Sequence, residues 1–278
     1  TGGHREALVG SDGQPMGDLG SFRRSCAVNL VETNHAIAGL EPGVGIPVVL
    51  GIEPEPRSLA GDTRELGELW DALDAAEDLA GDAPAGARSV GVCLDACHAA
   101  VEFEEPEEAR HRALGLSRER ARSLSKLQYS SALRLDLRGG YPAASAAGFD
   151  ALVAMDEPVY LHQTTGRTTD GELLRAADLG EVAADRAKWL ACSELRCHFH
   201  VPVDLASRGA LGTTRDHADA LLARVLAEPE TWGTAELHVE IETYTWALEA
   251  ADVDRVAGIE AEYRHVIGRL AALGWEPA

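Results

Sequence analysis

The chain of 278 residues is long enough for one large α/β barrel or two smaller domains, and its 45% hydrophobic and 26% charged residues are typical of a globular protein. Its formal net charge of −21 repels phosphate backbones and anionic lipid surfaces, so a nucleic-acid partner is disfavoured. No apolar run approaches the ~18 residues of a membrane span, and no basic and then apolar leader opens the chain.

Short apolar runs alternate with helical stretches along the chain, which is the pattern of a parallel sheet or barrel. The predicted strands are 46–53, 89–95, 124–129, 150–156, 195–203 and 236–244. The predicted helices are 18–41, a segment that begins at Asp62, 105–115, 170–191, 214–227 and 250–273, with loops at 1–17 and 81–88. No linker is long enough to define a second domain, so residues 1–278 are predicted to form a single domain.

Two helix boundaries have specific signals. Pro42 and Gly43 are expected to end the first helix. Asp62, with Glu65 three residues later, forms a predicted capping box at the start of the second. The apolar face of that second helix consists of Leu66, Leu69, Trp70 and Leu73.

The cysteines do not form a disulfide framework, because their number is odd and their spacing is loose. They are Cys26, Cys93, Cys97, Cys192 and Cys197. Small buried thiols of this kind are typical of a reducing compartment, so a cytoplasmic location is predicted.

Polar residues of metal-binding type recur near the carboxyl ends of the predicted strands. They are Glu53, Asp95, Gln128, His198, His200, Glu240 and Glu242. Active sites of TIM barrels are built at these strand ends, and several buried carboxylates that converge there need a cation between them. Oxygen ligands favour Mg²⁺, Mn²⁺ or Co²⁺, whereas added imidazoles favour Zn²⁺.

Each of these residues also has an ordinary structural interpretation. Asp95 can cap the helix that follows it, and His98 can be a satisfied core or surface histidine. The pair His198 and His200 is expected on one face of a strand, because strand side chains alternate. Recurrence of such residues in successive βα units is what favours a functional site.

At these positions the sequence resembles the xylose-isomerase-like TIM-barrel superfamily, which includes sugar epimerases, hydroxypyruvate isomerase and apurinic nucleases of the endonuclease IV type. The superfamily pattern is Glu, Asp-x-x-His, Gln or His, and Glu on successive strands. It is matched here by Glu53, Asp95 with His98, Gln128 and Glu242. The resemblance implies an α/β fold of the TIM (β/α)8 barrel type.

Within the superfamily the chain is most similar to EboE-type proteins, which are described as sugar-phosphate-isomerase-like or metabolite traffic proteins. The stretches that carry this likeness are GIEPEP (51–56), CLDACHAAVEFE (93–104), KLQYSSAL (126–133), DEPVYLHQ (156–163), CHFHVPV (197–203) and EIETYTW (240–246). In such barrels several βα units precede the first Glu, but only about 50 residues precede Glu53 here. The N-terminal strands of the barrel are therefore expected to be missing from this chain.

The resemblance implies an isomerase or epimerase that acts on a small sugar, sugar phosphate or related hydroxy-carbonyl metabolite. One divalent ion would be held by Glu53, Asp95, Gln128 and Glu242. Glu53 and Glu242 would transfer protons as base and acid, and His98 would hydrogen-bond a substrate oxygen. Glu240 is expected behind the metal ligands, and the candidates for binding a phosphate or carboxylate are Lys126, Arg134, His162 and Arg167.

Two other functions stay open at this point. A second metal held by His98, His198 and His200 would indicate a two-metal phosphoester hydrolase. A barrel without turnover would serve as a metabolite-binding protein of a biosynthetic or export pathway. Proteins of this fold often self-associate, which makes a homo-oligomer one expectation.

Overall fold

The computed structural model describes residues 17–44, 48–81, 90–138, 142–248 and 253–275. The chain divides into two compact, interleaved units. The first unit consists of residues 1–95, 107–127 and 227–239, and the second of residues 96–106, 128–226 and 240–278. The prediction of a single domain is not tested by this division and stays a prediction.

The regular elements are named in chain order. The helices are α1 (Leu19–Val44), α2 (Thr63–Ala80), α3 (Ala96–Val101), α4 (Pro106–Ala113), α5 (Pro142–Val153), α6 (Leu179–Ala184), α7 (Arg186–Leu190), α8 (Arg215–Ala227) and α9 (Arg255–Ala272). The strands are β1 (Gly51–Ile52), β2 (Gly91–Asp95), β3 (Leu124–Tyr129), β4 (Leu133–Asp136), β5 (Thr164–Arg167), β6 (Leu173–Ala176), β7 (Glu194–Cys197), β8 (Ser207–Arg208), β9 (Leu211–Thr213) and β10 (Val239–Ile241). None of these helices is apolar over a length that could cross a membrane.

In the first unit, α2 begins as its sequence predicts. The Asp62 carboxylate accepts a hydrogen bond from the Glu65 amide at 2.7 Å, and the Glu65 carboxylate accepts one from the Gly61 amide at 2.9 Å. The first bond satisfies an amide that the first turn of a helix leaves without a partner, and the second holds the residue just before the cap. The predicted pairing of Asp62 and Glu65 at the helix start is therefore confirmed. The predicted apolar face is confirmed as well, since Leu66, Leu69, Trp70 and Leu73 are all buried.

A four-stranded parallel sheet begins in the first unit, with the strand order β1-β2-β3-β10. Gly51 pairs with Gly91 in parallel register, and the Val92 amide donates to the Ser123 carbonyl at 2.8 Å. Because parallel strands end at the same edge, residues that follow them share that edge. The α/β class is confirmed, and the closed barrel stays a prediction.

The second unit contains a six-stranded antiparallel sheet with the order β6-β5-β7-β4-β9-β8. Its central strand β7 pairs with β4 through Leu133 and Cys197, and with β5 through Thr164 and Cys197. A buried apolar cluster that includes Phe149, Leu179, Trp189 and Leu195 packs helices α5, α6 and α7 onto one face of this sheet.

The predicted strand at 150–156 is wrong, because residues 142–153 form helix α5. Alanine is the strongest helix former, and the segment is rich in it. Phe149 and Leu152, three residues apart, are both buried on one side of this helix. A short apolar run does not distinguish a strand from a buried helix by its period alone.

The predicted helix at 170–191 is wrong in its first part. Residues 173–176 form β6, which pairs with β5 in a hairpin whose turn contains Gly171 at a φ of 94°. Such a left-handed residue favours a tight turn, and glycine adopts it without steric cost. The remainder of the segment is helical, in α6 and α7.

Three predicted strands are shorter in the structure. The run at 195–203 has strand structure only as far as Cys197, so the prediction that a strand presents His198 and His200 is wrong. The last strand is limited to Val239–Ile241, and the first to Gly51–Ile52, with residues 46–47 outside the described residues. Helix α1 ends at Val44, just beyond the predicted stop at Pro42 and Gly43. The predicted loops at 1–17 and 81–88 lie almost wholly outside the described residues.

Candidate metal centre

The first unit supplies two of the predicted metal ligands. Glu53 directly follows β1, and Asp95 is the last residue of β2, with 1% of its surface exposed. One carboxylate oxygen of each lies within 4.8 Å of the other, as the shared edge of the parallel sheet requires. In the second unit, Gln128 lies in β3 and Glu242 follows β10. The set of four ligands stays a prediction.

Three buried histidines of the second unit converge on one point. His98 comes from α3, and His198 and His200 come from the segment after β7. The Nε2 atom of His198 lies 3.1 Å from Nε2 of His98 and 3.0 Å from Nε2 of His200. Ligand atoms around a tetrahedral Zn²⁺ are separated by roughly 3.3 Å when each metal–nitrogen bond is about 2.0 Å. The spacing of the three ring nitrogens therefore suits one small cation.

Backbone hydrogen bonds fix the segment that carries His198 and His200. The His198 amide donates to the Gln163 carbonyl at 2.9 Å, and the Val201 amide donates to the Ser131 carbonyl at 3.0 Å. The hydroxyl of Thr245 donates to the His200 carbonyl at 2.7 Å. The segment thus has a defined path although it is not part of a strand.

The outer ring nitrogens of two histidines face oxygen acceptors. Nδ1 of His198 lies 2.6 Å from Oε1 of Gln163, and Nδ1 of His200 lies 3.1 Å from the Glu242 carbonyl oxygen. An Nδ1–H that donates to each oxygen leaves a lone pair on Nε2 of the same ring. Two such lone pairs 3.0 Å apart repel each other unless a metal ion or a shared proton lies between them. This arrangement is the usual one for histidines that bind a metal through Nε2.

Cys97 adds a sulfur to this cluster. Its Sγ lies within 4.8 Å of a ring nitrogen of both His198 and His200, and the residue is fully buried. A hydrogen bond holds Cys97 in position, because its backbone amide donates to Oγ of Ser130 at 2.9 Å. These buried histidine and cysteine side chains could hold a metal ion, and this donor set favours zinc.

Cys197 differs from Cys97. Burial raises the pKa of the Cys197 thiol to about 12, so this thiol stays protonated at neutral pH. It lies 3.8 Å from the His162 carbonyl oxygen, toward which its S–H is directed. Cys197 therefore behaves as a small core residue, as the sequence predicts for the cysteines in general.

An aromatic ring and a carboxylate from the segment after β10 lie beside the three-histidine cluster. The Tyr244 ring lies 4.7 Å from the His200 ring and 4.7 Å from the Tyr160 ring, measured between centroids. A carboxylate oxygen of Glu242 lies 3.5 Å from Nδ1 of His200. The cluster thus lies beside a glutamate whose side chain is still one-third exposed. A buried metal site with a purely structural role does not need an exposed carboxylate beside it.

Glu262 of α9 holds this region in place. Its carboxylate is buried and accepts hydrogen bonds from the Val203 amide at 3.1 Å, the Thr243 hydroxyl at 2.5 Å and the Trp246 ring N–H at 2.8 Å. These bonds join α9 to the segment after β7 and to the segment after β10. A buried carboxylate with three donors is a rigid anchor, because each bond to a charged group is stronger than a neutral one.

The predicted anion-binding residues have partners from the chain itself. Arg134 pairs with Asp216 at 3.0 Å, while Arg167 lies 3.5 Å from Glu194 and stacks on the Phe103 ring at 4.5 Å. Lys126 is a half-buried residue of β3, Glu240 is a half-buried residue of β10, and His162 lies in a separate acidic cluster. The paired arginines have less charge available for a phosphate, and substrate binding by these residues stays a prediction.

Sequence reasoning found the three histidines but missed their neighbours Cys97, Gln163 and Tyr244. All three lie within stretches that carry the family resemblance: CLDACHAAVEFE, DEPVYLHQ and EIETYTW. Position in such a stretch was the available signal, since Gln163 and His198 are 35 residues apart and no periodicity relates them.

The chain matches no family model, no curated protein and no solved structure. The resemblance to the xylose-isomerase-like superfamily therefore stays a prediction. We therefore infer function from the geometry of the site.

Proposed function

We propose that this chain is a divalent-metal-dependent enzyme that isomerises or epimerises a small hydroxy-carbonyl metabolite such as a sugar or sugar phosphate. His98, His198 and His200 would hold the metal. The observation that carries the proposal is the convergence of their three Nε2 atoms at 3.0 and 3.1 Å. Core histidines that serve only packing have no reason to point three nitrogens at one place.

The surroundings of the histidines support a resident metal. Gln163 and the Glu242 carbonyl orient two of the rings, and such outer partners raise the affinity of a histidine for its metal. All three histidines are at least nine-tenths buried. Low exposure strengthens the electrostatic contribution of a bound cation.

Glu242 supports an isomerase in particular. When bound, the metal supplies Lewis acidity toward a carbonyl or hydroxyl oxygen of the substrate. Glu242 follows β10 beside the cluster, and 32% of its side chain is exposed although its Oε2 atom is buried. We assign to it the removal of the proton from the carbon next to the carbonyl group. The product forms when a proton is delivered to the former carbonyl carbon and the hydroxyl proton moves to the carbonyl oxygen.

The xylose-isomerase-like barrel is part of this proposal. Two features support it. In the parallel sheet, Glu53 follows β1 and Asp95 ends β2. Gln128 lies near the carboxyl end of β3, and Glu242 follows β10. Catalytic residues at carboxyl ends of parallel strands are a general property of such barrels.

A second function, hydrolysis of a small phosphoester, is favoured by one observation. The ligands that converge are imidazoles with a neighbouring thiol, and this set favours Zn²⁺, which is used mainly to activate water. The oxygen-rich set expected of an isomerase is of a different type. The two functions can be distinguished by whether hydrogen or oxygen atoms from the solvent enter the products.

The experiment supplies the purified chain with Zn²⁺, Mn²⁺ or Co²⁺ and incubates it with a panel of sugars and sugar phosphates in D₂O. An isomerase or epimerase incorporates deuterium at the carbon next to the carbonyl, and Glu242→Gln abolishes the incorporation while the matched change at the exposed Glu236, Glu236→Gln, retains it. The same panel in ¹⁸O-labelled water tests the hydrolase, which transfers the label to released phosphate. Metal binding without either reaction would overturn both proposals and leave a metabolite-binding role.

A further inference from the structure

A second group of metal-binding side chains lies in the second unit, on the segment between α5 and β5. The His162 ring is 1% exposed and stacks on the Phe199 ring at a centroid distance of 4.2 Å. Carboxylates of Asp156, Glu157 and Asp178 surround its edge. This group shares no side chain with the three-histidine cluster.

We propose that Asp156, His162 and Asp178 bind a divalent cation of the zinc class. One ligand atom from each residue lies within 4.8 Å of the others. Nδ1 of His162 is 3.3 Å from Oδ1 of Asp178 and 3.9 Å from Oδ1 of Asp156. Two ligands of a tetrahedral zinc are roughly 3.3 Å apart, so small side-chain movements complete the site.

The charge of the group favours a cation. Three carboxylates within 4 Å of one ring carry three negative charges. A divalent ion neutralises most of this charge and uses the ring as a ligand at the same time. It also offsets the cost of holding the Glu157 carboxylate, whose side chain is only 17% exposed, away from bulk water.

The roles of the individual atoms agree with a metal at Nδ1. Oδ1 of Asp178 accepts hydrogen bonds from the His162 amide at 3.0 Å and the Leu179 amide at 2.9 Å. These bonds fix the carboxylate at the start of α6, with Oδ1 3.3 Å from Nδ1 of His162. Asp156 is the mobile ligand, because 45% of its side chain is exposed.

The Nε2 edge of the His162 ring, opposite to Nδ1, supports the same assignment. Nε2 of His162 is fully buried and makes no hydrogen bond with any residue in the described parts of the chain. It lies 3.5 Å from Oε1 of Glu157, whose two carboxylate oxygens accept the amides of Val159 and Tyr160, each at 2.8 Å. A metal at Nδ1 keeps the proton on Nε2, and that N–H then faces the carboxylate of Glu157. A carboxylate behind a metal-bound histidine is the common arrangement in zinc proteins.

The site would act as a clamp on the segment 156–163. Bound metal would join the two ends of this segment, at Asp156 and His162, to the start of α6 at Asp178. Gln163, next to the clamp, is the acceptor for His198, and Tyr160 within it contacts the Tyr244 ring. The clamp therefore has a structural role that is independent of the reaction proposed above.

The test uses the full chain with His198→Gln and His200→Gln, so that the three-histidine cluster no longer contributes. Zn²⁺ binding is measured by competition with a chromophoric chelator, and Co²⁺ binding by its visible absorption spectrum. We expect about one Zn²⁺ per chain in this background. Adding Asp156→Asn should reduce its affinity at least tenfold, whereas the matched change Asp170→Asn on an exposed turn should leave it unchanged.

Two results would overturn the proposal. One is a background chain that binds neither Zn²⁺ nor Co²⁺ while its circular dichroism spectrum matches that of wild type. The other is binding with equal affinity in the Asp156→Asn and Asp170→Asn variants. Since the background lacks two of the three clustered histidines, neither result depends on the function proposed for that cluster.

Discussion

Oε1 of Gln163 lies 2.6 Å from Nδ1 of His198, and this contact sets the orientation of the ring at the centre of the histidine cluster. Gln163→Ala removes the acceptor without touching a proposed metal ligand. We expect the affinity of the cluster for Zn²⁺ to fall about 10- to 100-fold, as losses of outer partners do in other zinc sites. Chelator competition measures this change, and Gln163→Glu, which retains an acceptor, should restore most of the affinity. Equal affinities for wild type and Gln163→Ala would contradict the role assigned to Gln163.

Gly258 and Gly268 on α9 form a matched pair for a stability test. A Cβ at Gly258 would overlap the Trp246 ring, whereas a Cβ at Gly268 would meet nothing within 4 Å. Gly268→Ala should stabilise the chain by about 0.5–1 kcal/mol through helix propensity. Gly258→Ala should destabilise it by about 1–3 kcal/mol, because the ring must move away from Glu262. Urea unfolding of both variants checks the prediction, and the same sign of change for both would contradict it.

Burial lowers the pKa of His217, whose ring Nε2 lies 2.7 Å from the Glu104 carbonyl oxygen. The unfolded chain therefore binds a proton at a pH where the folded chain does not. The contribution to stability is complete above the unfolded pKa of about 6.5 and decreases as the pH falls from there toward the lowered folded pKa. His217→Gln retains an N–H donor but does not titrate. The difference in unfolding free energy between pH 7.5 and 5.5 should be smaller in this variant than in wild type, and an equal or larger difference would contradict the prediction.

The course of the chain was predictable from sequence where local signals are strong. The caps and apolar face of α2, and the whole of β3, agree with the sequence because propensity, period and capping residues all indicate the same element there. The segment of α5 was not predictable in this way. Its apolar run has the length of a strand, and only packing of Phe149 and Leu152 in the second unit distinguishes the helix.

The site was predictable in its ligand types but not in its geometry. The recurrence of His and carboxylate residues after apolar runs indicated a metal. The sequence could not show that β7 ends at Cys197, which places His198 and His200 on an irregular segment held by Ser131 and Thr245. Partners such as Gln163 were beyond prediction, because they depend on contacts between distant parts of the chain.

Binding of a divalent metal by the three-histidine cluster is tested by the zinc content of the purified full chain after equilibration with Zn²⁺ and removal of excess ion. Mass spectrometry of the metal compares wild type with the His198→Gln, His200→Gln double variant and with His238→Gln, which changes an exposed histidine. We expect about one Zn²⁺ fewer per chain in the double variant than in wild type, and no loss in His238→Gln. Equal zinc contents in wild type and in a folded double variant would rule out metal binding by these histidines.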